Sequence, residues 1–154
     1  MVTRKAIAAA LLQLLAPPNG PFPTSGRKVP DPETLSGGDF PALFLIKGSE
    51  TYTYDGEGDT VPPTRVIDFS AVIYTDFSDD PRAVPADAID DLLDQVDGLI
   101  AAQPTDQIKN GGRQTLGDLV YNTVISGELH LAPGDAQGKG MTLIPIRVTL
   151  NQYP

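Results

Sequence analysis

Thr64-Arg65-Val66-Ile67-Asp68-Phe69-Ser70-Ala71-Val72-Ile73-Tyr74-Thr75-Asp76 is the stretch that decides the fold. Successive side chains of an extended chain point to opposite sides. Ile67, Phe69, Ala71 and Ile73 therefore share one face, and Val66, Asp68, Ser70, Val72 and Tyr74 share the other. The first set is apolar throughout and predicts a core face. The second is half polar, which leaves it to face solvent or another subunit.

Working outward from this strand, residues 42–47 (ALFLIK) form a short apolar run of strand type, and residues 50–54 (ETYTY) alternate as its continuation or as a hairpin partner. Gly56-Glu57-Gly58-Asp59 reads as a turn closed by Pro62-Pro63. On the other side, a polar loop over 77–85 leads to a predicted helix over 86–103. Ile89, Leu92, Leu93, Val96 and Ile100 fall on one face of that helix, and Asp87, Asp90, Asp91, Asp94 and Asp97 line the rest. Asp87 favours the positive end of the helix dipole, and Pro104 ends the helix. Residues 119–131 read as one long strand, or as two broken at Gly127. Residues 133–140 (PGDAQGKG) read as a flexible tip, and 141–152 as a last strand with Ile144, Ile146, Val148 and Leu150 on one face.

Before the first strand, residues 3–16 carry Ile7, Leu11, Leu14 and Leu15 at helical spacing, with Thr3 as cap and Pro17-Pro18 as stop. Arg4-Lys5 ahead of an Ala- and Leu-rich run has the outline of a signal peptide. Gln13 interrupts that run and no good cleavage site follows, so an amphipathic helix of the mature fold is expected. Residues 17–41, rich in Pro, Gly and Ser, fit no regular element and read as a long extended loop that Phe22 and Phe40 pin to the body. The order predicts a single α+β domain over 1–154: one mostly antiparallel sheet with two helices packed on a face, and the Pro-rich loop after the first helix.

A chain of 154 residues buries enough surface to fold without staples, and this one has no cysteine, so disulfides, thiolate zinc and cysteine nucleophiles are excluded. With 11 Lys+Arg against 20 Asp+Glu, the formal charge of -9 opposes non-specific nucleic-acid binding and anionic membranes. No apolar run is long enough to span a bilayer.

Several motifs suggest chemistry and do not carry it. Asp55-Gly56-Glu57-Gly58-Asp59 opens like an EF-hand loop, but Thr60 and Val66 stand where Gly and Glu are required, so a solvated acidic turn is expected. Gly134-Asp135-Ala136-Gln137-Gly138-Lys139-Gly140 is one residue short of a phosphate loop and precedes a strand rather than a helix. It reads better as a hairpin tip that touches a neighbour. His130 is the only histidine, it lies in a strand, and no Gly-x-Ser-x-Gly elbow accompanies it. The aspartates of the second helix spread around its polar side. They read as a solvated face or, more sharply, as an acidic surface that meets a basic partner or lines a channel. Arg27-Lys28 and Arg113 are isolated loop positives, too few for nucleic acid and suited to acidic patches of neighbouring copies. No catalytic residue, cofactor or metal ligand is expected.

Taken in order, Ser25-Gly26-Arg27-Lys28-Val29-Pro30 in an extended loop, Pro41-Ala42-Leu43-Phe44-Leu45, Thr115-Leu116-Gly117-Asp118-Leu119-Val120, Ile125-Ser126-Gly127-Glu128 and Leu143-Ile144-Pro145-Ile146 resemble the tail terminator (tail completion, minor tail U-like) proteins of long-tailed bacteriophages. The resemblance spans most of the chain, with Asp118 standing where it implies a second glycine. It implies a non-enzymatic α+β virion protein, assembled in the host cytoplasm. Such subunits form a hexameric ring at the head-proximal end of the tail tube, stop tube polymerisation and offer the surface to which the filled head attaches. Partners would be further copies of itself, the tail tube protein and head–tail connector proteins, with DNA passing through the lumen unbound and no membrane contact. The alternatives are another neck, connector or tail tube component, or a small ligand-binding domain. The expected interface residues are Arg27 and Lys28, Asp55, Glu57 and Asp59 of the acidic turn, and Asp135, Gln137 and Lys139 of the tip.

Overall fold

The alternating stretch 64–76 is the central strand of a mixed sheet. A computed structural model describes residues 2–54, 64–101, 108–132 and 139–150. In chain order these contain helix α1 (Arg4–Leu15), strands β1 (Thr24–Gly26), β2 (Ala42–Thr53) and β3 (Thr64–Asp76), helix α2 (Pro85–Ile100), and strands β4 (Asn122–Ile125), β5 (His130–Ala132) and β6 (Lys139–Leu150). The sheet runs β1-β2-β3-β6-β4, and β5 also pairs with β6. All pairings are antiparallel except that of β1 with β2. This is the α+β arrangement that the order of elements predicts.

Ile67, Phe69, Ala71 and Ile73 of β3 are buried with Ile144, Ile146 and Val148 of β6 and Leu43 and Leu45 of β2. Ile7, Ala8, Leu11 and Leu15 of α1 and Val96 and Ile100 of α2 close the same cluster, so both helices lie on one face. Thr3 caps α1 by accepting a hydrogen bond from the Ala6 amide at 3.1 Å. Residues 42–47 and 50–53 prove to be one strand, bulged between Lys47 and Ser49. The extra residue, Gly48, reverses the alternation, which brings Glu50 and Tyr52 onto the helix face beside Arg4. The run 119–131 is broken at Gly127, whose φ of 127° is a glycine conformation.

Three sequence expectations are corrected. Residues 17–41 do contain regular elements: β1 adds to the free edge of β2, and short 3-10 turns form at Pro32–Thr34 and Gly37–Asp39. Parallel pairing with an edge strand satisfies backbone groups that a bare loop would leave to water. Second, Lys139 and Gly140 belong to β6 and not to the tip, because they pair with Asp76 and Thr75. Third, the outer face of β3 is not wholly free. Val72 and Tyr74 are buried with Ala42 and Phe44 under Val29, Leu35 and Phe40 of the Pro-rich segment. Phe22 is fully buried in the main core, so this segment is anchored on both faces of the sheet.

Candidate functional site

The Pro-rich segment covers only one end of the sheet's outer face. At the other end, register defines a grid of neighbouring side chains. Ile46, Ser70 and Pro145 form one row; Ser49, Asp68, Arg147 and Val124 the next; Thr51, Val66, Thr149 and Asn122 the last. Ile46 and Val124 stay 41% and 39% exposed on this otherwise hydroxyl-rich surface. At its centre Arg147 Nε donates to Asp68 Oδ1 at 2.8 Å, and this bond is the main reason that the Asp68 carboxyl is held below its ordinary value. The surface mixes apolar side chains with hydroxyls around one ion pair.

The expected interface residues fall into three sets. Arg27 and Lys28 are exposed in the bend after β1 and make no ion pair with any described residue. Lys139 is exposed at the start of β6, where its charge helps lower the Asp76 carboxyl, an effect led by the Ser78 hydrogen bonds. Asp55, Glu57, Asp59, Asp135 and Gln137 lie outside the described residues. Arg113 is not a free loop positive, since its guanidinium stacks 4.2 Å from the Tyr121 ring centre.

Three further features bear on chemistry. On the helix face, Arg4 donates through Nη2 to Glu50 Oε2 at 2.8 Å and to the Tyr52 hydroxyl at 2.9 Å, while Lys47 also reaches Glu50. The Arg4 hydrogen bond is the chief cause that draws the Glu50 carboxyl down to about 2. It ties the start of α1 to the far half of β2. Asp87, Asp90, Asp91, Asp94 and Asp97 are all exposed on α2, and no described group of three His, Cys, Asp or Glu is placed to hold a metal ion. His130 is exposed in β5 opposite Leu143. No described helix is long and apolar enough to cross a membrane.

Sequence reasoning missed a cleft of about 280 Å³ at the end of the sheet, between the Phe40-Pro41 turn, the end of β3 and the first turns of α2. Its walls come from segments far apart in the chain. The nearest signal was Phe40, read only as a pin for the loop. A second, open cleft of about 290 Å³ lies between the end of α2 and β4, walled by Asp97, Ile100, Gln114, Asn122 and Thr123. Gln114 at its base is committed to structure, donating to the Ala101 carbonyl and accepting from the Leu116 amide.

Neither protein-family models nor curated proteins match this chain.

Proposed function

We propose that this chain is a structural subunit of a bacteriophage tail, a terminator that closes into a ring on the head-proximal end of the tail tube, ends tube growth and offers the surface for head attachment. The observation that supports it most is the uncovered half of the sheet's outer face. Ile46, Val66, Val124 and Pro145 are presented there around a single ion pair, apolar groups that another subunit could cover. The resemblance noted in the sequence supplies the particular assembly. The formal charge of -9 suits a ring through which DNA moves without being held.

The test is tube growth in vitro. Purified protein is added to polymerising tube protein of the same phage, and tube ends and lengths are measured by electron microscopy. The expected result is a ring of copies on one end and tubes that stop lengthening. Tubes that grow on with bare ends would overturn the reading, and long tubes built by this chain alone would make it a tube protein instead.

A further inference from the structure

The cleft at the end of the sheet has the chemistry of a guanidinium receptor. Phe40, Phe77 and Leu92 form its apolar side, and Asp76, Asp91 and Gln95 its polar side. Aromatic faces beside a carboxylate suit a planar cation, which stacks on a ring while its donors meet the carboxylate oxygens. Asp76 is already engaged, accepting from the Ser78 amide with Lys139 nearby. The Asp91 carboxylate has no ion pair among the described residues, and Asp87 lies one turn before it. Thr75 also lines the cleft. It is 2% exposed, and its hydroxyl is buried behind the wall, so the groups that meet an occupant are the carboxylates and rings.

The same chain carries a cation pair that lacks a counterpart. Arg4 and Lys47 meet Glu50, Lys109 meets Asp118, and Arg147 meets Asp68. Arg27 and Lys28 stand exposed and without an ion pair among the described residues, in the bend that leaves the edge strand β1; Lys5, Arg82 and Lys139 are also exposed without one, but singly, whereas these two are adjacent. The bend lies beside the sheet's edge and the cleft at its end, against α2. They are different patches, so one copy's bend can enter the next copy's cleft and leave its own cleft for a third. Such head-to-tail contacts generate a ring where the rotation between copies closes and an open filament where it does not.

We infer that the cleft between Phe40, Phe77 and Asp91 receives Arg27 of a second copy of this chain, with Lys28 against the neighbouring Asp87, and that this contact links successive subunits. The inference rests on the ring proposed above and names its contact. Two measurements test it. In sedimentation equilibrium, Arg27→Glu and Asp91→Arg should each weaken self-association about ten-fold or more, as for other close charge pairs. The double variant, with the charges exchanged, should recover most of that loss. Single variants that associate like the parent, or a double variant no better than the singles, would overturn the contact. The second measurement does not depend on a stable oligomer. Carbodiimide coupling joins an amine to a carboxylate with loss of water and no spacer, so in a mixture of isotopically labelled and unlabelled protein it should link Lys28 of one copy to Asp87 of another, read as a mixed cross-linked peptide by mass spectrometry. The link should fall sharply in the Arg27→Glu protein, which keeps both coupling groups; no such link in the parent, or an equal yield in the variant, would overturn the contact. Tube capping separates the two proposals. An Arg27→Glu protein that still caps tubes as well as the parent sinks the contact and leaves the ring reading standing. A parent protein that never caps tubes sinks the ring reading whatever the cross-link shows.

Discussion

Glu50 shows how one residue of register can decide an interaction. Without the bulge at Gly48 its side chain would lie on the outer face, away from Arg4; with it, Glu50 meets the Arg4 guanidinium and the Lys47 ammonium on the helix face, where Arg4 also donates to the Tyr52 hydroxyl. The resulting carboxyl titrates near 2 instead of 4.5. The folded value is the depressed one, so the stabilisation is fully present above 4.5 and is lost as pH falls towards 2. Glu50→Gln is therefore expected to lower the urea midpoint at neutral pH and to flatten its decline between these two pH values. Asp68, lowered chiefly by Arg147, should leave some acid dependence in the variant. Parallel midpoint profiles for parent and variant would show that the pair contributes nothing to folding. Another position at this scale is strained by its backbone. The φ of Asp118, 67°, falls, with Leu116 at 50° and Gly117 at 72°, in the left-handed region that glycine adopts most easily. Aspartate tolerates that region better than most residues, and the Asp118 amide is engaged by the Thr115 hydroxyl at 3.1 Å.

Among the elements, those with a strong period were legible and the one without was not. Ile7, Leu11 and Leu15, Ile67, Phe69, Ala71 and Ile73 of β3, and Ile144, Ile146, Val148 and Leu150 of β6 lie in the core where spacing places them, while Leu14 is only partly buried at its margin. Residues 17–41 carry no period because their contacts are not local: β1 is held by the edge of β2, and Phe22 and Phe40 reach opposite faces of the sheet. The burial of Val72 and Tyr74 was hidden for the same reason, since what covers them comes from about forty residues earlier in the chain. The candidate interface was half legible. Unpaired Arg27-Lys28 can be read from composition, but a cleft assembled from residues 40, 76–77 and 88–95 cannot. The two anchors of the Pro-rich segment should differ in strength. Phe22 is completely enclosed, so Phe22→Ala should cost about 3 to 5 kcal/mol, as for other buried aromatics. Phe40 is half-buried in the smaller outer cluster, and Phe40→Ala should cost about 1 to 2 kcal/mol. Chemical denaturation of the two variants measures both. Equal losses would mean that the outer cluster holds the segment as firmly as the core does.

For the whole molecule, assembly sets a long-range repulsion against a short-range attraction. Each copy carries a formal charge of -9, so copies repel at a distance, whereas the proposed contact brings Arg27 and Asp91 together within a partly apolar cleft. Salt screens these two effects differently. The screening length is about 30 Å at 0.01 M, about 8 Å at 0.15 M and about 3 Å at 1 M. The first increase removes most of the repulsion between whole subunits and leaves a contact pair largely intact, because its charges lie well within about 8 Å of each other. The second increase shortens screening to the scale of the pair itself. Self-association measured by light scattering should therefore rise from low salt to near physiological ionic strength and fall again towards 1 M. The Arg27→Glu protein has the same repulsion, enlarged by two charges, and lacks the attraction. Its association should start lower and climb steadily across the whole range. A parent protein whose association also climbs without a maximum would be held together by apolar contact alone, which would move the joint between subunits from the cleft to the uncovered face around Ile46 and Val124.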